Sequence, residues 1–173
     1  MGAWGVKSFE NDSALDWLLE FQDEKDLTKV VIKIFDFMNE CKEDEFVDSE
    51  ISSEVIAAAE IVAALFGSPC MDLPPNIAKW VKKKQSYDRS LVSTFDKIVN
   101  IIYTKEEVNR EWREQSKEQK WSYSLNLLSE IVIQQIDNVL EKTELNELWK
   151  SSDEYEKWIF EINDLKNRCR RTQ

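Results

Sequence analysis

EVIAAAEIVAALF, residues 54–66, is the stretch that decides the fold of this 173-residue chain. Nearly every position in it is apolar, which predicts a helix that is buried on all sides rather than one with a solvated face. Ser52 or Ser53 can supply the N-cap oxygen, and Gly67 follows as a stop signal. We therefore expect a buried central helix at about 54–66, against which the rest of the chain packs.

Apolar residues recur at helical spacing on both sides of this central helix. Asn11 and Asp12 offer N-cap oxygens to a short first helix, and Asp26 offers one to a second helix. Part of the second helix, residues 30–37, also fits a strand because it is β-branched and aromatic, but no partner strand is evident. Beyond the centre, the pattern predicts helices at about 75–84, 88–103, 144–150 and 153–168, and one that begins at Ser122 or Ser124 and ends at Lys142.

Turn residues are scarce outside two short regions. The chain has 3 Gly and 3 Pro, all within residues 2–5 and 67–75, so it lacks the turns that an all-β fold needs. We expect an all-α fold in which residues 1–173 form a single compact domain of about seven or eight helices around residues 54–66. Residues 105–120 are so highly charged that a solvated helix and a mobile connection both fit them.

The net charge of −11 is concentrated in the first third of the chain. Residues 10–54 hold fifteen acidic and four basic side chains, which gives −11, and the remaining residues are balanced. Such a surface repels phosphate, so the charge disfavours nucleic acid as a ligand and favours a basic protein partner. The plain alternative is that the charge only keeps the protein soluble.

The residue types that most hydrolytic mechanisms need are missing. The chain has no His and no GxxxxGK[ST] or GxGxxG loop for phosphate. The acidic residues 43–48 lack the spacing and the central Gly of an EF-hand loop. Three widely spaced cysteines, Cys41, Cys70 and Cys169, form neither a disulfide framework nor a metal pair, so we expect reduced thiols. The sequence therefore predicts no catalytic residues, no metal site and no cofactor.

Targeting signals are also missing from the sequence. No secretion signal follows Met1, and no apolar run reaches about 18 residues. Val6 occupies the position at which a myristoylation signal needs Ser or Thr. We expect a cytoplasmic protein that does not bind a membrane, and the sequence gives no indication of its oligomeric state.

Glu60 is the one ionisable residue in the apolar run 55–66. A buried carboxylate has to be hydrogen-bonded or paired, so a structural role is the expected one. We predict that Glu60 accepts hydrogen bonds from the N-terminal segment around Trp4 and Gly5.

The seven tryptophans fall into two groups. Five lie in apolar patterns, where core positions are expected: Trp4, Trp17, Trp80, Trp149 and Trp158. Trp112 and Trp121 have charged neighbours, so they either anchor a partner or fold back over the helices beneath them.

The opening Met1-Gly2-Ala3-Trp4-Gly5, followed by Phe9 and Asn11-Asp12, resembles a bacterial family of small domains of unknown function that begin with an MGAWG-type stretch and an F-x-N-D motif. Further residues look like later landmarks of that family: Asp16-Trp17, residues 57–60, Leu65, Gly67, Leu73-Pro74, Trp80, residues 144–149 and Leu165. The resemblance implies a helical fold. The residues themselves give the expected structural roles, for Asn11 and Asp12 as caps, for Trp4 in an apolar pattern and for Glu60 in the apolar run. The resemblance also implies a charged insertion at about 85–123, because shorter members have a shorter stretch there. The opening motif is similar to that of small bacterial proteins that act as immunity partners of secreted toxins.

Our leading hypothesis is an immunity protein that neutralises a cationic bacterial toxin by direct binding, with a nuclease as the expected class, as in contact-dependent growth inhibition. The candidate contact residues are the acidic residues near the centre of the charged third and the two tryptophans with charged neighbours: Glu40, Glu43, Asp44, Glu45, Asp48, Glu50, Trp112 and Trp121. Two alternatives stay open. One is a carboxylate-based metal-dependent enzyme, and the other is a scaffold or regulatory adaptor.

Overall fold

The computed structural model describes residues 4–22, 27–43, 46–84, 92–93 and 114–170. Within these ranges the chain forms seven helices and no strand: α1 (Asp12–Gln22), α2 (Leu27–Glu43), α3 (Ser49–Leu65), α4 (Pro75–Lys84), α5 (Lys117–Lys142), α6 (Glu144–Lys150) and α7 (Tyr155–Arg168). The predicted all-α fold is confirmed, and residues 30–37 are helical rather than extended. Most of the predicted helix at 88–103 and most of the expected insertion at 85–123 lie outside the described residues.

Helix α3 is the centre of the molecule, as its composition predicts. It contacts each of the other six described helices. Every residue from Val55 to Leu65 is buried. Five of those residues are alanines, whose small side chains let neighbouring helices approach closely from several directions.

The end of α3 follows the sequence signal. Gly67 has φ of +92°, a conformation that favours glycine over residues with a Cβ. The N–H of Ser68 donates to the carbonyl of Ala63 at 2.9 Å, which satisfies one of the free carbonyls of the last turn.

The start of α3 differs from the prediction. The N-cap is Asp48 rather than Ser52 or Ser53, because Asp48 Oδ1 accepts a hydrogen bond from the N–H of Glu50 at 2.6 Å. The hydroxyls of Ser52 and Ser53 donate instead to carbonyls one turn earlier, at 2.6 and 2.8 Å. The helix therefore begins at Ser49, within the acidic stretch that the sequence pattern left irregular.

Helix α5 also begins earlier than predicted, at Lys117. Ser116 and Gln119 form a capping box, in which Gln119 N–H donates to Ser116 Oγ at 3.2 Å and Ser116 N–H donates to Gln119 Oε1 at 2.8 Å. The charged residues that follow Lys117 are therefore helical. None of the described helices has both the length and the apolarity that a membrane span needs.

Candidate functional site

Helix α3 has carboxylates in two different environments, at its start and at Glu60. The first is at the exposed start of the helix. Asp48 and Glu50 are both exposed there, and their negative charges face the positive end of the helix dipole. They stabilise the helix and stay accessible to a partner at the same time.

The backbone next to this start is held by the junction between α5 and α6. The N–H of Val47 donates to the carbonyl of Lys142 at 2.9 Å, and the N–H of Glu144 donates to the carbonyl of Val47 at 2.9 Å. The N–H of Ser49 donates to Glu144 Oε2 at 3.2 Å. Both backbone groups of Val47 are thus hydrogen-bonded, and the Glu144 carboxylate lies beside the start of α3.

Glu40 belongs to the same region. Glu40 lies in the last turn of α2 next to Cys41, and the charge of Lys142 reaches the Cys41 thiol, so the end of α2 lies close to the α5–α6 junction. We define the acidic surface as Glu40, Asp48, Glu50 and Glu144, with Lys142 as the neighbouring basic residue. Glu144 was not a sequence candidate, since nothing in the sequence links it to Ser49, which is 95 residues away.

Phe46 lies beside the acidic surface and was also missed by sequence reasoning. Its side chain is 56% exposed, whereas the next residue, Val47, is buried in the core. The one signal in the sequence was an aromatic residue within an acidic stretch. An exposed aromatic side chain on a hydrogen-bonded backbone can serve as an interface anchor.

The remaining predicted contact residues are less well placed or lie outside the description. Trp121 is half-buried and packs against the core, which favours the alternative in which it folds back over the helices. Glu43 ends α2. Asp44, Glu45 and Trp112 lie outside the described residues.

The second region surrounds Glu60, which is 3% exposed. Arg168 of α7 binds its carboxylate with two nitrogens, Nη1 to Oε2 at 2.7 Å and Nη2 to Oε1 at 2.8 Å. Ser8 Oγ donates to Oε1 at 2.9 Å, and Arg168 Nη1 also donates to the carbonyl of Ser68 at 3.3 Å. The Glu60–Arg168 pair therefore joins the N-terminal segment, α3, the α3–α4 loop and α7.

This pairing corrects part of the prediction for Glu60. The carboxylate is buried and partnered, as expected, but its N-terminal partner is the Ser8 hydroxyl rather than Trp4 or Gly5. The N–H of Trp4 donates to the carbonyl of Glu10 at 2.9 Å, and Gly5 lies against the Glu10 side chain. Arg168 was missed because it lies 108 residues further along the chain.

Electrostatics favour the charged form of Arg168. Burial alone would lower the pKa of Arg168, but the hydrogen bonds and charges of Glu60 and Asp164 outweigh it, so the net shift is upward. Burial, followed by the charge of Glu60, raises the pKa of the Cys70 and Cys169 thiols. Both thiols are free and stay protonated at neutral pH, which makes them poor nucleophiles.

The other structural residues of the N-terminal segment also have clear positions. Asn11 caps α1, since its Oδ1 accepts the N–H of Ala14 at 2.7 Å, and its Nδ2 donates to the carbonyl of Ser8 at 3.1 Å. Asp12 is exposed in the first turn of α1. The expectation that Trp4 lies in the core is wrong, because its side chain is 58% exposed. Phe9 and Trp17, which belong to the same N-terminal motif, are buried instead.

The other tryptophans in apolar patterns lie in or against the core. Trp158 is buried and stacks on Trp149, with ring centroids 5.7 Å apart, and Trp80 is half-buried against the core. A shallow cleft with a volume of only about 20 Å³ lies between this pair, α3 and the N-terminal segment. Lys7 is the one ionisable residue among those that line it, so the cleft lacks a paired acid and base.

A metal centre has little basis in the part of the chain that the structure describes. There, no three His, Cys, Asp or Glu side chains lie close enough together to share an ion. Abundant carboxylates on separate faces do not form the oxygen cage that Mg²⁺ or Ca²⁺ needs.

Comparison with protein families gives one match. Residues 2–124 match the family described as Domain of unknown function (DUF4259), and this range is more than half of the chain. Ser8 and Glu60 lie within the matched range, whereas Arg168 and helices α6 and α7 lie beyond it. No curated protein and no solved structure matches the chain significantly.

Proposed function

The chain belongs to the DUF4259 family of domains of unknown function, and we propose that it is a binding protein that inhibits a basic protein partner through its acidic surface. The observation that supports this best is the fixed geometry at the start of α3. Asp48 and Glu50 are exposed there, and Val47 and Ser49 are hydrogen-bonded to the α5–α6 junction. A preordered surface loses little conformational freedom on binding, which favours affinity.

The charge of the surface defines the class of partner. Opposite charge on a partner would steer encounter and raise the association rate, an effect that salt screens. The fuller form of the proposal is an immunity protein that occludes a cationic bacterial toxin. A nuclease is the expected class, because an active site that attracts phosphate is basic and would also attract this surface.

The first experiment identifies the partner. The tagged protein is used at low salt to capture binding proteins from its native cells, with neighbouring genes expressed. We expect one basic protein whose toxicity the chain suppresses when the two are produced together. Capture of no basic protein at low or moderate salt would contradict the proposed function.

The second experiment tests the acidic surface in the purified complex. The triple variant Glu40→Gln, Asp48→Asn and Glu50→Gln removes three charges, while Asn keeps the N-cap of α3. We expect the association rate to fall at least about tenfold at low salt and its salt dependence to flatten.

A matched control carries Glu130→Gln, Asp153→Asn and Glu156→Gln, which removes the same charges from exposed positions on or beside α5 and α7. An equal loss in both triple variants would mean that net charge matters and that this surface does not.

A further inference from the structure

We propose that Phe46 is the apolar anchor of this interface and enters an apolar pocket rimmed by Lys or Arg on the basic partner. The inference rests on the proposed function and names the residue that supplies short-range affinity. Charge steers encounter, but affinity at interfaces comes mainly from a few desolvated anchors, among which aromatic side chains are common.

The exposure of Phe46 is the first observation. With 56% of its surface in water, the side chain leaves more than half of its area uncovered, although the next residue is fully packed. The exposed part of an aromatic side chain forgoes the free energy that its burial would release. That free energy is available to a partner.

The backbone of the neighbouring residue supplies the second observation. Val47 is fixed by hydrogen bonds to Lys142 and Glu144, and Ser49 is fixed by the Glu144 side chain. Phe46 is therefore attached directly to an ordered backbone. Binding would then need to order only the Phe46 side chain, which has few rotatable bonds.

The charges around Phe46 identify the occupant. Asp48 and Glu50 follow Phe46 closely in the chain, and the Glu144 carboxylate binds the N–H of Ser49. Lys142 also lies there, since its carbonyl accepts the N–H of Val47. A second copy of this chain would bring the same excess of carboxylates against them, which is repulsive. A basic protein would bring opposite charges around an apolar contact.

The experiment compares two exposed phenylalanines. Phe46→Ala and Phe160→Ala remove the same side chain, and Phe160 is 70% exposed on α7, a helix that carries no residue of the acidic surface. Affinity for the purified basic partner is measured by calorimetry. We expect Phe46→Ala to weaken Kd by about 10- to 100-fold and Phe160→Ala by less than about twofold, with both variants melting within about 2 °C of the wild type.

The outcomes separate the two proposals. If the wild type captures no basic protein, the proposed function fails and this inference fails with it. If the wild type binds its partner and Phe46→Ala binds equally well, the anchor alone is wrong. If Phe46→Ala instead dissociates a homodimer in sedimentation equilibrium, the occupant is a second copy of the chain and the inference is overturned.

Discussion

The two carboxylate regions of α3 have the same chemistry in opposite environments. Asp48 and Glu50 lie at the exposed start of the helix, whereas Glu60 is buried two to three turns later and bound by Arg168. At the start, water and the helix dipole stabilise the charges without a basic partner. At Glu60, removal from water makes a partner obligatory. Neutralising Asp48 or Glu50 should therefore change the free energy of unfolding little, whereas neutralising Glu60 should lower it strongly.

The largest expected effect is at Glu60. Glu60→Ala leaves the Arg168 guanidinium buried without its main partner, so we expect the free energy of unfolding to fall by about 3–5 kcal/mol. Urea denaturation measures the change. The double variant Glu60→Met with Arg168→Met should lose less than Glu60→Ala, because it removes both charges together.

Glu54 offers a matched control for this prediction on the same helix. It pairs with Lys33 at 2.5 Å, and both side chains are about a quarter exposed. Glu54→Ala should cost less than about 1 kcal/mol, as partly exposed ion pairs usually do. Equal losses for Glu60→Ala and Glu54→Ala would show that burial does not distinguish the two carboxylates.

The next effect concerns the thiol of Cys169, which donates to the carbonyl of Ala59 at 3.4 Å beside Glu60. Burial and the charge of Glu60 raise the pKa of this thiol in the folded state, so folding favours its protonated form. The resulting stabilisation is complete below the unfolded pKa of about 8.5 and is lost as the pH rises through the range above it. Above pH 9, the unfolding free energy should therefore fall less steeply with pH in Cys169→Ala than in the wild type. We expect the two slopes to differ by about 1.4 kcal/mol per pH unit.

Denaturation series at pH 7, 9 and 10 on the wild type and Cys169→Ala check this expectation. The comparison uses the slopes with pH, because the substitution itself lowers stability at every pH. Parallel curves for the two proteins would mean that the thiol ionises equally in the folded and unfolded states.

The smallest effect tests the exposed start of α3. Asp48→Ala removes the N-cap and should lower the unfolding free energy by about 1 kcal/mol, whereas Asp48→Asn keeps a capping oxygen and should lower it by less than about 0.5 kcal/mol. Thermal unfolding in parallel resolves the two variants. If Asn were as costly as Ala, the charge of Asp48 would stabilise the helix more than its hydrogen bond to Glu50 does.

Several features of the fold could be predicted because their causes are local. The run of buried positions from Val55 to Leu65 follows from composition, and the stop at Gly67 follows from the need for a positive φ. Asn11 could be assigned as a cap from its position before an apolar pattern. The start of α3 was predicted wrongly because three nearby residues, Asp48, Ser52 and Ser53, can all cap a helix. Only the actual hydrogen bonds distinguish them.

The candidate site was less predictable, since its contacts join distant parts of the chain. The sequence indicated that Glu60 needs a partner, but Ser8 and Arg168 lie 52 and 108 residues away. The exposure of Trp4 and Phe46 likewise depends on which helices cover them. Trp4 was expected in the core but is exposed, whereas Phe9 and Trp17 from the same N-terminal segment are buried.

The sequence by itself determined an all-α chain with a buried central helix and an acidic first third, because periodicity, glycine placement and charge are properties of neighbouring residues. Tertiary structure alone decided that Arg168 neutralises Glu60, that Glu144 lies beside the start of α3 and that Phe46 remains in water. The physical reason is that burial and long-range pairing depend on how helices pack, and one sequence pattern is compatible with many packings.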